Sequence, residues 1–298
     1  MMNMIEVKGV TKQFKDKKAV DGISFTIQKG SVTAILGPNG AGKTTLISMM
    51  LGLLDPSAGH IRLGGQPPKS MAARDQLGAM LQEVSVIDGI TVGETLDLFR
   101  SYYSHPMSKE RLLEWSGLQG EQKKRADSLS GGQKRRLGFA IALAGDPDLL
   151  FLDEPTVGMD ITSRKLFWES IHRLTKRGKT IILTTHYLEE AEHVADRVIL
   201  MSAGKVIADG TPEEMKASLT HRSVSFTADG ILAVDALTAL PHVKGVSTQG
   251  SRMTVTTTDT DAVLRDIFSR NLPVHDIAIE NGSLDEVFEV LMKREEIA

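Results

Sequence analysis

Not one of the 298 residues is a cysteine. That excludes a disulfide framework, thiolate chemistry and any zinc–sulfur site, and it agrees with a reducing compartment. Excess positive charge is missing too. A formal net charge of -3 gives no support to a nucleic-acid binder of the basic kind. Long apolar runs are absent: nothing approaches the roughly 20 residues needed to span a bilayer. The richest segments, Val32–Leu36 and Thr180–Thr185, are short and read as buried strands, so the chain is not expected to cross a membrane by itself. The opening MMNMIEVKGVTKQF lacks the charged-then-apolar layout of a signal peptide. There is no internal repeat and no low-complexity linker.

What is present is the composition of a soluble globular protein, 41% hydrophobic and 24% charged, long enough for one large or two ordinary domains. The first 220 or so residues alternate short β-rich runs with helical patterns, the α/β signature. SVTAILG (31–37), DLLFLD (148–153), TIILTTH (180–186) and RVILMSAG (197–204) are the clearest strands. Their near-continuous apolar character fits parallel strands covered on both faces. Between about Thr91 and Leu143 the strands give way to a helical insert. From residue 221 the order changes to β-α-β-β-α-β-α. It comprises RSVSFTA, a helical stretch around Ile231–Leu240, a hairpin turning at Gln249-Gly250, DAVLRDIFSRN, PVHDIAIE, and a terminal helix with Ser283 as cap and Glu286 at the capping-box position. This order predicts a small ferredoxin-like α+β domain over 221–298.

GPNGAGKT, Gly37 to Thr44, matches G-x-x-x-x-G-K-[ST] between a strand and the helical TTLISMMLGLL. Gly37, Pro38, Asn39, Gly40, Ala41, Gly42, Lys43, Thr44 and Thr45 are therefore expected to bind nucleotide phosphates. Backbone N–H groups and the helix dipole would face the anion, Lys43 would reach the β- and γ-phosphates, and the Thr44 hydroxyl would ligate Mg²⁺. The DLLFLDEPT strand ends in Asp153, placed to hold Mg²⁺ at the carboxyl edge of the sheet, and Glu154 follows as the general base. His186 ends its strand at the same edge, which favours a γ-phosphate contact over a structural role. The other seven histidines show no metal-ligand spacing. Basic clusters at Lys15–Lys18, Lys123–Arg125 and Lys134–Arg136 have acidic residues interspersed and read as solvated faces. Lys134 and Arg135 stand as candidates to sense phosphate or headgroups.

LSGGQ (129–133), with the phosphate loop before it and the aspartate strand after it, resembles the ABC ATPase family over about Ile5 to Thr211. The resemblance implies a RecA-like P-loop NTPase core with a helical subdomain. It identifies Gln82 with the glutamine loop that also reaches Mg²⁺. Ser130, Gly131, Gly132 and Gln133 match the signature motif, Asp160 the D-loop and His186 the switch histidine. Phe14 stands where the family commonly stacks a tyrosine on adenine; the π-face survives without the hydroxyl, and burial in the core is the rival role. The resemblance further implies ATP and Mg²⁺ as ligands. Two domains would pack head to tail, so that each ATP lies between one chain's phosphate loop and the other's signature. With one copy of each motif, the chain needs a second copy or a homologous ATPase chain.

Within the family, TTHYLEEAEHVADRVILMSAGKVIADGTPEE and the ending SLDEVFEVLMK resemble bacterial type-2 exporters of drugs, antibiotics or sodium. That implies separate membrane-spanning permease subunits, docking on the helical insert, and a peripheral place at the cytoplasmic face of the membrane. An importer subunit is the alternative, and a soluble ABC ATPase acting on ribosomes or DNA a third. The last lacks support, since the chain has neither a second cassette nor a long coiled-coil insert.

Overall fold

The computed structural model describes residues 3–82, 86–185, 187–219, 222–228, 237–238, 240, 242–280 and 282–297. The chain divides into two compact units, Met1–Thr211 and Pro212–Ala298.

The first unit contains two sheets. β1 (Asn3–Phe14), β2 (Lys17–Gln28) and β4 (Ala58–Leu63) form an antiparallel sheet in the order β2-β1-β4. The larger sheet contains β3 (Val32–Leu36), β5 (Leu77–Met80), β6 (Leu149–Asp153), β7 (Thr180–Thr184), β8 (Arg197–Ser202) and β9 (Lys205–Gly210). Its order is β5-β6-β7-β3-β8-β9, parallel except for β9, which runs antiparallel on β8. Every residue of β3, β6 and β7 is buried, as the near-continuous apolar lettering predicts for strands covered on both faces. Each large apolar side chain so buried contributes about 1.5–3 kcal/mol.

Helix α1 (Lys43–Met50) supplies Leu46, Ile47, Met49 and Met50 to one continuous core. That core also takes Ile5 and Ile27 from the antiparallel sheet and Ile35, Phe151 and Ile182 from the parallel one. α2 (Met71–Asp75) precedes β5. α3 (Val92–Arg100), α4 (Lys109–Ser116) and α5 (Gly131–Ala142) form the helical insert. Local chemistry fixes the ends of these helices. Thr91 and Glu94 make a reciprocal capping box on α3, Ser108 caps α4, and Gly117 ends it in the left-handed region. α6 (Ile161–Lys176) packs on α5 through an edge-to-face pair, Phe139 and Phe167, 4.9 Å between centroids. α7 (Leu188–Val194) links β7 to β8.

In the second unit α8 (Pro212–Leu219) is followed by β10 (Arg222–Ala228), β11 (Val243–Gln249), β12 (Arg252–Thr257), α9 (Thr260–Ser269), β13 (Val274–Glu280) and α10 (Leu284–Ile297). The four strands are antiparallel in the order β11-β12-β10-β13. Val224, Phe226 and Val255 pack with Val263 and Ile267 of α9 beneath them. The hairpin between β11 and β12 turns at Gly250, and Ser283 caps α10 by accepting the Glu286 N–H at 3.3 Å. The helix expected around Ile231–Leu240 falls mostly outside the described residues.

The first antiparallel sheet has no counterpart in the sequence reading. Its two 12-residue strands are half exposed, and register shifts interrupt their pairing, which blurs the period of two. No helix among the described residues is long and apolar enough to cross a membrane.

Candidate active site

Strand β3 delivers the phosphate loop, and α1 begins directly after it at Lys43. Gly42 is the N-cap of α1 at φ 102, without a side-chain cap bond, and the first turn holds no acidic residue. The helix therefore opens with amide donors that no side chain of the cap takes up, the arrangement that receives an anion. A side chain at Gly42 would put Cβ 2.3 Å from the Ala19 carbonyl of β2, so only glycine fits where the loop crosses that strand.

Lys43 is buried, and its ammonium donates to the carbonyls of Gly37 at 2.6 Å and Pro38 at 3.0 Å. Burial pulls its pKa below 10.5, and the negative charges of Glu154 and Asp153 act in the opposite direction. The same two carboxylates thus belong electrostatically to the loop.

Strand β6 positions both acids. Asp153, its last residue, is 5% exposed, and Glu154, at 4%, follows it with φ 53. A buried non-glycine residue in the left-handed region costs of order 1 kcal/mol and is held by its neighbours. Here the Glu154 N–H donates to the Thr184 carbonyl at 3.2 Å and the Thr184 hydroxyl at 3.1 Å. The Glu154 carbonyl accepts from Arg135 Nη2 at 2.9 Å. Thr184 then donates its hydroxyl to Asp153 Oδ1. One threonine on β7 thereby sets the direction of the aspartate and the backbone of the glutamate. Thr44, exposed at the start of α1, and Asp153 offer the hard oxygen donors that Mg²⁺ prefers. Among the described residues no three acidic or imidazole groups gather into a metal cage.

Ser130 is the N-cap of α5 and forms a full capping box with Gln133. The serine hydroxyl accepts the Gln133 N–H at 3.3 Å, and Gln133 Oε1 accepts the Ser130 N–H at 3.0 Å. The two glycines between them differ. A Cβ at Gly132 would lie 3.3 Å from the Gly158 carbonyl, whereas one at Gly131 would meet nothing within 4 Å. Asp160 caps α6, its carboxylate accepting both the N–H (2.8 Å) and the hydroxyl (2.9 Å) of Ser163, which holds its pKa below 3.8.

Gln82 lies two residues past β5, side chain exposed, and His186 is outside the described residues. Phe14, the last residue of β1, is 48% exposed with Lys12 Nζ 5.2 Å above its ring, so it is not a core residue.

Two features had not been singled out from the sequence. Thr184 is one. A second is Glu190 of α7, which accepts from Thr156 (2.8 Å) and Thr185 (3.3 Å) and pairs with Arg164 (3.3 Å), tying the segment after β6 to that after β7. Arg135, expected on a solvated face as a sensor of phosphate or headgroups, is placed elsewhere by the structure. It is 7% exposed, and its guanidinium bonds carbonyls of its own chain instead of lying on a solvated face where phosphate or headgroups reach it.

Comparison with known proteins fits this geometry. Residues 20–157 match the family model described as ABC transporter. The chain is 45% identical over 219 residues to the Nod factor export ATP-binding protein I of Burkholderia lata, covering 71% of this chain and 72% of the relative. It is 35% identical over 297 residues to the daunorubicin resistance ATP-binding protein DrrA3 of Streptomyces coeruleorubidus, covering 95% and 94%. Among solved structures, an ATP-binding subunit of an ABC transporter superposes with a TM-score of 0.67 at 26% identity, over 72% of this chain and 92% of that one. A dimeric ATP-binding cassette bound to ADP and Pi gives 0.64 at 25% identity, over 70% and 98%.

Proposed function

The chain belongs to the ABC transporter family of ATP-binding subunits and is an ATPase, and from that premise we propose how its site works and what it drives. Two copies, or this chain and a homologous one, pack head to tail, each ATP held by one chain's residues 37–45 and covered by the other's Ser130–Gln133. Phe14 stacks on the adenine. Asp153 and Thr44, joined by Gln82, would hold Mg²⁺, which when bound would neutralise phosphate charge and polarise the γ-phosphoryl group. Glu154 accepts the proton of the attacking water as its oxygen bonds to the γ-phosphorus. The bond to the β,γ-bridging oxygen breaks, and ADP leaves with that electron pair. Lys43 and the α1 amides stabilise the charge, while His186 contacts the γ-phosphate and Asp160 lines the D-loop.

The observation that carries the shared site is Gly131. Among the described residues nothing lies within 4 Å of the space left by its missing side chain, which suits close approach by a group from outside. The ATP-bound pair would close and the product state open, driving separate membrane-spanning subunits from the cytoplasmic face. Similarity to export and drug-resistance ATP-binding proteins supports export over import, with drugs, antibiotics or ions as the substrate class. The strand order β11-β12-β10-β13 supports a ferredoxin-like reading of the accessory domain. One experiment tests the shared site. Glu154→Gln should nearly abolish hydrolysis and trap an ATP-bound dimer on size exclusion. Adding Ser130→Arg should abolish that dimer while each monomer still binds ATP. Loss of nucleotide binding by the Ser130→Arg monomer would refute the trans arrangement.

A further inference from the structure

Arg135 is the fifth residue of α5, the helix that begins with the signature segment. Its guanidinium donates to four backbone carbonyls. Nη1 reaches Gln82 at 2.5 Å and Leu81 at 3.1 Å, Nη2 reaches Glu154 at 2.9 Å, and Nε reaches Val157 at 3.4 Å. Leu81 and Gln82 follow β5; Glu154 and Val157 follow β6. One side chain thus ties the carboxyl ends of two adjacent parallel strands to the start of the signature helix. A buried guanidinium is tolerated only when its donors are satisfied and its charge is answered. Asp153 and Glu154 supply the opposing charge, against the burial that lowers the Arg135 pKa. Its neighbours do otherwise: Arg136 donates to the Gly117 carbonyl at 2.7 Å, and Lys134 is half-buried.

We infer that Arg135 is the positioning residue that couples the two ATP sites of the dimer. It links the segment facing the partner's nucleotide to Gln82 and Glu154, which serve the nucleotide on its own chain. The inference rests on the shared-site reading given above. A shift of Ser130–Gln133 as the partner's ATP arrives carries Arg135 with it. The carbonyls it holds must follow or lose charge-assisted bonds. Lysine cannot replace it, because three donors on one nitrogen cannot span four carbonyls in the segments that follow two strands.

The test uses the full-length chain with Arg135→Gln and Arg135→Lys. Nucleotide affinity of the monomer should stay within about twofold and kcat should fall at least about tenfold; the coupled wild-type dimer should show a sigmoidal dependence of rate on ATP that becomes hyperbolic in both variants. Wild-type kcat and sigmoidality in either variant would overturn the inference. So would loss of nucleotide binding in step with a lower melting temperature, which marks a purely structural role. A second measurement leaves Arg135 intact. Amide hydrogen exchange around residues 81–82 and 154–157 should slow when Glu154→Gln dimerises on ATP, and stay unchanged when Ser130→Arg is added. Equal exchange in the two proteins also counts against coupling. If Ser130→Arg hydrolyses ATP normally, the shared site itself falls. If it is inactive while Arg135→Gln remains cooperative, only the coupling falls.

Discussion

Replacing Thr184 by valine removes a hydroxyl from a fully buried position and leaves the side-chain shape unchanged. No cavity opens, so the cost is confined to hydrogen bonds. The larger loss is the bond to Asp153 Oδ1, worth about 1.5–3 kcal/mol because the acceptor is charged. The Glu154 N–H loses the hydroxyl but keeps the Thr184 carbonyl, adding about 1 kcal/mol or less. A total of about 1.5–4 kcal/mol corresponds to a melting temperature lower by roughly 3–16 °C for a unit of this size. Turnover should suffer more than stability. With the Asp153 carboxylate free to rotate and Glu154 held by fewer bonds, kcat should fall about 10- to 100-fold, the scale of an ångström-level misplacement. Thr184→Ser should recover kcat while melting remains lower for want of the methyl group. ATPase assays and thermal melts on the three proteins decide it. Valine matching wild type in both, or serine failing as valine does, would refute the reasoning.

Two further outcomes follow from the phosphate loop. Since burial lowers the Lys43 pKa, its unfolded form holds the proton to higher pH. The apo protein should therefore gain stability as pH rises from the lowered value toward 10.5. ATP affinity should fall over the same window as the ammonium is lost; nucleotide titrations and melts across neutral to alkaline pH, with Lys43→Met lacking both limbs, check this. Gly42→Ala forces Cβ against the Ala19 carbonyl and should abolish ATP binding with a clear drop in melting temperature. Gly40→Ala, at φ 82 but in open space, should cost only about 1–2 kcal/mol of backbone strain. Equal effects of the two alanines would contradict that contrast.

The legible parts of this molecule are those where one local rule decides the outcome. The strands β3, β6 and β7 are nearly continuous in apolar residues because both faces are covered, and the phosphate loop is spelled by residues adjacent in sequence. Arg135 was misread because a basic letter between two others predicts a solvated face. The carbonyls that satisfy it come from segments 19 to 54 residues away. Thr184 looked like any strand residue, since its partners lie on the neighbouring strand β6. The β1–β2–β4 sheet was hidden by its bulges, whose irregular register no simple period describes.

The adjacent glycines 131 and 132 are the same letter with different obligations. Gly132 answers to its own fold, because a side chain there would press on the Gly158 carbonyl at 3.3 Å. Gly131 answers, on the proposed reading, to a molecule the chain has yet to meet. A drift in the first would be felt by every copy as soon as it folds. A drift in the second would stay silent in a solitary chain and surface only at assembly.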